Sequence, residues 1–242
     1  MRSLIKALKS LIFSNYCLIC KENIYGNGYY CVNCIDSFDF VTQECCRICL
    51  FPSKDRSNIS DTCMGCIQNR PLFSKISCPF YYNDNLKNLV AEFKYHSKTY
   101  LVRFFADIIY KRSLVLFLES DVICPIPLHY LRQRQRKFNQ SALLADKICR
   151  LANVEHKYLA DLLIRVKNNK PQMTLKAKQR AKNVRNIFEI NPKYQNLLKG
   201  KKILLVDDVI TTMETVNEAS RMLKKCNAKL VVVVGIGRSI RK

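Results

Sequence analysis

Two adjacent carboxylates, Asp207 and Asp208, follow an apolar run near the end of this chain. A turn with three hydroxyl side chains comes next, carried by Thr211, Thr212 and Thr215. A turn that opens a helix presents free amides and a partial positive charge, which suit a phosphate. The carboxylates would repel a phosphate, but they are strong acceptors for ribose hydroxyls. The pattern predicts a sugar-phosphate site beyond the carboxyl end of a buried strand.

In this interpretation Asp207 and Asp208 are the catalytic pair and hold the ribose. The loop that follows them would bind the phosphate through Val209, Ile210, Thr211, Thr212, Met213, Glu214 and Thr215. The alternative is purely structural, because acidic strand ends and threonine helix caps occur in many α/β proteins.

Four Cys-x-x-Cys pairs occupy the first quarter of the chain, a spacing that suits tetrahedral zinc. We predict one or two zinc ions, held by Cys17, Cys20, Cys31, Cys34, Cys46, Cys49, Cys63 and Cys66. Pairs adjacent in sequence could share an ion, or the pairs could interleave, and Cys45 could replace Cys46. Lys21 and Arg47 could offset the negative charge of the thiolates. A cluster of buried or redox-active thiols is the alternative.

The compartment follows from the thirteen cysteines and the N-terminus. A disulfide framework would need a secretory signal, but Lys6 and Lys9 interrupt the apolar residues there. No apolar run reaches the length of a membrane span. We therefore expect a reduced, cytoplasmic protein without a membrane span. Leu4, Leu8 and Leu11 predict a short amphipathic helix that docks on protein rather than on a membrane.

The net charge of +22 is concentrated in one part of the chain. Residues 128–202 carry 19 Lys and Arg against 4 Asp and Glu, an excess of 15 positive charges. Such a field attracts polyanions and phosphorylated small molecules. Drift toward a lysine-rich composition is the alternative, but drift would spread the charge evenly. We expect a phosphate-bearing partner.

The apolar pattern predicts the elements that position these residues. Residues 1–75 are predicted to form a zinc ribbon, expected to be double, with the short N-terminal helix. Residues 76–242 form a second domain. Its strands are predicted at Cys78–Tyr82, Asp121–Pro127, Lys202–Val206 and Leu230–Gly235. Its helices are predicted after Asp84, around 101–108, after Asn139, and from Thr215 to Cys226, with Asn227 at the last C-terminus. Solid apolar strands that alternate with helices predict an α/β, doubly wound parallel sheet.

Residues 163–189 are basic and polar, and they predict a long mobile connection with a short helix near 175–182. Lys94 and Tyr95 are interpreted as a solvated helix end, and a contact with the substrate is the alternative. His129 is expected at the surface or in a packing role, and a contact with a ligand is the alternative. Tyr130 and Phe138 are candidates for base stacking, because they lie among basic residues.

Four segments together resemble the ComF family, whose members join an N-terminal zinc ribbon to a type I phosphoribosyltransferase domain. Residues 203–215 resemble the PRPP-binding signature. Residues 122–128 resemble the strand that leads to a pyrophosphate loop, and Arg136–Gln140 resembles Arg-Gly-Phe-Asn-Gln. The fourth segment, over the flexible loop, is carried by Gln172, Arg180, Asn183 and Phe188.

The resemblance implies binding of PRPP or a related ribose phosphate with magnesium, and phosphoribosyltransferase chemistry if the chain is an enzyme. Arg134 and Arg136, with Arg132, would clamp pyrophosphate, although a solvated basic face is the alternative for Arg132. It also implies a role in natural transformation, with single-stranded DNA and a ComF-type helicase as partners. Met213 and Lys137 stand where the family has glycine. That departure favours the alternative, a catalytically inactive adaptor that binds nucleic acid.

Overall fold

The computed structural model describes residues 15–24, 29–53, 61–95, 98–129, 134, 136–167 and 185–240. Several predicted features lie outside these residues: the N-terminal helix with Leu4, Leu8 and Leu11, the side chains of Tyr130 and Arg132, the helix near 175–182, and the motif residues Gln172, Arg180 and Asn183.

The described chain is built from short strands and six α-helices. The strands are β1 (Asn15–Tyr16), β2 (Asn23–Ile24), β3 (Lys75–Ser77), β4 (Phe80–Tyr81), β5 (Val122–Pro125), β6 (Leu163–Arg165), β7 (Phe188–Ile190), β8 (Lys202–Val206), β9 (Val209–Ile210), β10 (Leu230–Val234) and β11 (Gly237–Arg238). The helices are α1 (Val32–Asp36), α2 (Met64–Gln68), α3 (Asp84–Tyr95), α4 (Leu101–Glu119), α5 (Gln140–Ala152) and α6 (Glu214–Lys225). Short 3₁₀ turns cover Glu155–Lys157 and Pro192–Leu198.

The central sheet has four strands in the order β3-β10-β8-β5, and all of its pairs are parallel. A second parallel sheet, β4-β11-β9, continues beyond the carboxyl ends of the first. The strands β5, β8 and β10 are apolar on both faces because helices cover both faces of the sheet. This arrangement confirms the predicted α/β fold with a doubly wound parallel sheet.

Successive strand residues point to opposite faces and divide the core in two. On one face Ile203 and Leu205 pack with helix α6. On the other face Leu204 and Val206 pack with helices α3, α4 and α5. The carboxyl end of β8, which Asp207 follows directly, therefore lies between two packed layers.

The predicted strand at Cys78–Tyr82 is wrong in its bounds, because the structure has two shorter strands there. β3 ends at Ser77 and β4 begins at Phe80. Pro79 lies between them and has no N–H to donate to a ladder, so pairing is interrupted at that point. This break moves the chain from the central sheet to the small sheet above the strand ends.

The caps of the helices were predicted with mixed success. Asn139 caps α5 by accepting a hydrogen bond from the amide of Ser141 at 3.0 Å, as predicted. Asn227, with φ of 59°, ends α6 in the left-handed conformation, also as predicted. Asp84 was the wrong cap for α3. The side chain of Asn83 accepts from the amide of Leu86 at 2.9 Å, and Asp84 is the first helical residue.

The cysteine-rich residues pack on both faces of the fold. Leu18 and Ile19, beside the first two pairs, contact the core of helices α3 to α5. Cys46, Cys49 and Cys66, from the last two pairs, belong to the core of α6. Both ends of the connection predicted between 163 and 189 are part of a regular structure, because β6 and β7 pair there as antiparallel strands.

Candidate functional site

The acidic pair lies directly beyond β8, at the end of the central sheet. The Asp207 amide still donates to the carbonyl of Val234 in β10, at 2.9 Å. Each carboxylate then accepts from the next amide along the chain: Asp207 from Asp208 at 2.8 Å, and Asp208 from Val209 at 2.5 Å. The hydroxyl of Ser141, in the first turn of α5, donates to Asp207 at 3.2 Å. These bonds fix both carboxylates at the predicted place.

Lys94 brings a cation to this pair. Its Nζ lies 2.8 Å from Oδ2 of Asp208, and both side chains are largely buried, at 18% and 12% exposure. The interpretation of Lys94 as a solvated helix end was therefore wrong. Its neighbour Tyr95 does project into solvent, with 66% exposure.

The two aspartates differ in their electrostatic surroundings. Burial raises the pKa of Asp207 to about 7, and the charge of Asp208 adds to the effect. The Asp208 amide, Lys94 and Ser141 oppose that rise without cancelling it. Near neutral pH Asp207 is therefore partly protonated, beside an Asp208 side chain that is paired with Lys94.

The 209–215 loop leads from the acids into helix α6. Val209 and Ile210 form strand β9, and Met213 is the N-cap of α6. Met213 has φ of 66°, so a methionine adopts the left-handed conformation that favours glycine. Its side chain packs against the core on the α6 face. The hydroxyl of Thr212 donates to the carboxylate of Glu214, which lies in the first turn of α6.

The loop is folded closely on itself. The hollow that it encloses has a volume of about 20 Å³ and is lined by Asp207, Val209, Ile210, Thr211, Met213, Thr215 and Val216. A space of this size holds roughly one water. A phosphate group therefore does not fit inside this hollow.

Arg136 lies on the Tyr95 side of the site. Its guanidinium stacks 4.9 Å from the ring centre of Tyr95 and donates to that hydroxyl at 3.1 Å. It also donates to the side chain of Gln140, whose amide reaches the carbonyl of Lys94. Arg136 and the acidic pair are therefore connected through the end of α3. Arg134 is exposed.

Lys137 is the second residue that stands in place of a family glycine. Like Met213 it has φ of 66° and keeps the glycine-like backbone conformation. Two other candidates, His129 and Phe138, make packing contacts. His129 is buried, with 6% exposure, which fits a packing role rather than a surface one. Phe138 is half-buried, and its ring centre lies 6.2 Å from that of Phe93. Its role in base stacking stays a prediction.

Arg238 in β11 is a functional candidate that the sequence did not reveal. It is only 6% exposed and donates to the carbonyl of Ile210 at 3.1 Å and to that of Thr211. It also reaches the carbonyl of Cys49 at 2.8 Å. A basic residue close after the apolar residues of β10 was the signal for it. The contact of Ser141 with Asp207 was not predicted, because no sequence motif marks this serine.

The eight paired cysteines form two groups, each able to hold a metal ion. Cluster I comprises Cys17, Cys20, Cys31 and Cys34, and cluster II comprises Cys46, Cys49, Cys63 and Cys66. The sulfurs of each group lie within 4.8 Å of one another. Neighbouring sulfurs are 3.7 Å apart in cluster I and 3.6 Å in cluster II. A tetrahedral site with Zn–S bonds of about 2.3 Å has sulfurs about 3.8 Å apart, so the residues fit zinc.

This grouping follows the pairs in sequence order rather than interleaving them, and Cys45 lies outside both clusters. The cations expected to offset the clusters are engaged elsewhere. Lys21 donates to the hydroxyl of Tyr100 at 2.8 Å, and Arg47 pairs with Asp61 at 3.0 Å.

One thiol in each cluster has a lowered pKa. Burial raises the pKa of Cys17, but hydrogen bonds from the amides of Cys20, Cys31 and Ile19 outweigh it, and the pKa falls to about 6. In cluster II the same balance, with amides of Cys63, Cys49 and Ile48, lowers the pKa of Cys46 to about 7. Thiolates are the form that binds zinc. Burial raises the pKa of Cys34 in cluster I and of Cys49 and Cys66 in cluster II, so zinc binding there releases protons.

Comparison with known proteins identifies the family. Competence protein F of Haemophilus influenzae is 30% identical over 238 residues, which cover 94% of this chain and 98% of that protein. The chain belongs to the ComF family. Competence protein ComFC of Bacillus subtilis is 28% identical over 80% of this chain and 77% of its own length. DNA utilization protein YhgH of Escherichia coli is 25% identical over 74% of this chain and 78% of that protein.

A family model, the phosphoribosyl transferase domain, matches residues 139–242 of this ComF chain. That range contains α5, the acidic pair and the 209–215 loop. A purine phosphoribosyltransferase from Pyrococcus horikoshii superposes on 56% of this chain and 83% of its own, with 15% identity and a TM-score of 0.34. The family assignment rests on the sequence relatives. No helix among the residues described for this chain has the length and apolarity needed to cross a membrane.

Proposed function

We propose that this ComF protein binds PRPP or a related ribose phosphate, and that it does so in natural transformation, where it handles incoming single-stranded DNA. The observation that carries the proposal is the geometry after β8. Two fixed carboxylates are followed at once by a turn with a glycine-like backbone and by the N-terminus of α6. Asp207 and Asp208 would accept the ribose hydroxyls, and amides of the 209–215 loop would donate to the 5′-phosphate.

The chemistry of a phosphoribosyl transfer requires stabilisation of the departing pyrophosphate. Magnesium, which prefers oxygen ligands and substrate phosphates, would supply charge for that group when it is bound. Arg136, with Arg134, would add charge from the α3 side. Lys94 would have to share or release Asp208 as the ribose enters, because the two groups are now paired at 2.8 Å.

Isothermal titration calorimetry with PRPP, with and without magnesium, tests the proposal. We expect binding that requires magnesium, and a loss of about tenfold or more in affinity for Asp208→Asn, since a charged acceptor of two hydroxyls is removed. Asp146→Asn is the matched control, because Asp146 pairs with Arg150 on an exposed face of α5. Equal affinities for wild type and Asp208→Asn would refute the assignment of the ribose site.

A second candidate function is a catalytically inactive adaptor that binds nucleic acid. The small hollow of the 209–215 loop favours it, because about 20 Å³ does not admit a phosphate without movement. In that case single-stranded DNA would bind through the basic residues of the 128–202 segment.

Fluorescence anisotropy with a labelled oligothymidine at several salt concentrations tests the DNA binding that both functions require, and the calorimetry with PRPP distinguishes the two. The adaptor predicts a salt slope steeper than about −3 in log–log form, as expected when four or more phosphates are neutralised. It also predicts that excess PRPP with magnesium leaves DNA affinity unchanged. Weak binding with a flat salt dependence would remove DNA as a partner of this chain.

A further inference from the structure

Arg238 is a buried cation without a carboxylate partner among the described residues. Its guanidinium donates instead to the backbone carbonyls of Cys49, Ile210, Thr211 and Ser239. Burial of a charge is costly unless hydrogen bonds and an opposite charge compensate it. The carbonyls supply the hydrogen bonds. The opposite charge has to come from elsewhere.

Cluster II is the available negative group. A zinc ion with four thiolates has a formal charge of −2, and Arg238 contacts the backbone of one of its cysteines, Cys49, at 2.8 Å. The remaining bonds of the same guanidinium go to Ile210 and Thr211 at the start of the turn. Arg238 thus joins the metal cluster to the 209–215 loop by direct contacts.

Cluster I has no comparable connection among the described residues. Its Cys20 is exposed, and the cation beside it, Lys21, donates to Leu18 and to Tyr100 of the segment before α4. Cluster II, in contrast, shares a core with Ile210 and with Val216 of α6. The two metal sites therefore differ in what they touch, although their ligands are the same.

We infer that Arg238 is a positioning residue that couples the zinc occupancy of cluster II to the conformation of the 209–215 loop. With zinc bound, the cluster holds the guanidinium, and the guanidinium holds the carbonyls of the turn. Without zinc, the guanidinium loses its compensating charge and the turn loosens. The consequence for ligand binding rests on the proposed function, but the coupling itself does not.

Hydrogen exchange of the wild-type protein measures the coupling without any ligand. Zinc is removed stepwise with a chelator, and its amount is followed by a metal-sensitive dye. Cys20→Ser and Cys63→Ser identify which site is lost. We expect amides in the loop to exchange about tenfold faster or more when cluster II is empty, and no change when only cluster I is empty. Loop exchange that is the same with cluster II full or empty would overturn the inference.

Arg238→Lys tests the residue itself. Lysine keeps the charge but lacks the planar fork that reaches several carbonyls at once. We expect faster exchange in the loop, zinc release from cluster II that is about threefold to tenfold faster, and unchanged release from cluster I. Arg150→Lys is the control, because Arg150 forms an exposed pair with Asp146. Protection of the β10 amides reports that a variant is folded. If Arg238→Lys does not fold, the wild-type chelation experiment decides.

The result is separable from the proposed function. If zinc loss from cluster II speeds loop exchange but the protein does not bind PRPP, the coupling is supported and the proposed ligand is refuted. PRPP binding, together with loop exchange that is the same with cluster II full or empty, would retain the ligand and remove the coupling.

Discussion

Met213 shows how a single residue can depart from a family pattern without changing the backbone. The position keeps φ of 66°, and the side chain is directed toward the core on the α6 face. The cost is strain, because a side chain in the left-handed region is disfavoured by about 1–2 kcal/mol. Lys137 carries the same kind of strain at the other glycine position. Strained residues of this kind often occur at functional sites.

The strain at Met213 predicts that glycine at this position is more stabilising than alanine, the reverse of the usual order inside a helix. Met213→Gly should be more stable than Met213→Ala by about 1 kcal/mol, because both remove the side chain but only glycine relieves the left-handed conformation. Urea denaturation measures the difference. At Lys111, in the middle of α4, the order should reverse, with glycine less stable than alanine by about 1 kcal/mol. The same order at both positions would contradict the strain.

Asp207 predicts a pH dependence of stability. Its pKa is raised from 3.8 to about 7 in the folded state, so the folded protein binds the proton more tightly than the unfolded chain. The favourable contribution is complete below pH 3.8 and is lost as pH rises through about 7.

Asp207→Asn removes this contribution to the pH dependence. At pH 8 the variant should be more stable than wild type by about 1–2 kcal/mol, because it buries no unfavourable charge beside Asp208. At pH 5 the difference should nearly vanish. Urea denaturation at the two pH values measures it, and Asp146→Asn is the exposed control. A wild type that is less stable at pH 5 than Asp207→Asn by the same margin would contradict the assignment.

At the scale of elements, the site depends on how the end of α3 meets the tip of β8. Helix α3 ends at Tyr95, and its last turn supplies Lys94 to Asp208 and Tyr95 to Arg136. The C-terminus of a helix favours a cation, so Lys94 suits its position for a second reason. Movement of this helix end would change both the charge at Asp208 and the orientation of Arg136.

Lys94→Met tests that contact. Removal of the cation leaves Asp208 unpaired beside Asp207, and we expect a loss of about 1–3 kcal/mol in unfolding free energy at pH 8. The loss should be smaller at pH 5, where Asp207 carries its proton. Lys87→Met is the matched control on the same helix. Its pair with Asp84 is exposed and 3.8 Å long, so its loss should stay below about 0.5 kcal/mol. Equal effects at the two lysines would show that the Lys94 pair is no stronger than a surface pair.

At the scale of the whole molecule, the two metal clusters are attached to different parts of the core. Cluster II contributes Cys46, Cys49 and Cys66 to the layer of α6. No cysteine of cluster I belongs to the layer of α3 to α5, although the neighbouring Phe38 is buried in it. Metal at cluster II should therefore contribute to the stability of the sheet as a whole.

This difference predicts unequal effects of matched cysteine variants. Wild type should hold two zinc ions per chain by elemental analysis, and both Cys20→Ser and Cys49→Ser should hold one. Cys49→Ser should lower the midpoint of thermal unfolding of the sheet by about 5 °C or more, and Cys20→Ser by less than half of that. Equal shifts would show that the two clusters contribute alike.

Local chemistry explains what could be read from the chain alone. The four residues before Asp207 are all apolar, and a short strand covered on both faces has that pattern. The acids therefore had to lie at the end of a buried strand. Two residues between paired cysteines set the ligand geometry within each pair, so both pairs of each cluster were identifiable. Asn139 and Asn227 cap the helices next to them in sequence, so their roles were also predictable.

Contacts between distant residues were decided only by tertiary structure. The sequence allowed the cysteine pairs to combine in order or to interleave, and packing on opposite faces of the sheet selected the order. Lys94 reaches Asp208 because α3 ends beside the tip of β8. Arg238 reaches Cys49, 189 residues away, because β11 lies between β9 and β4. No local pattern encodes such pairs, since the position of each side chain depends on the packing of every element between them.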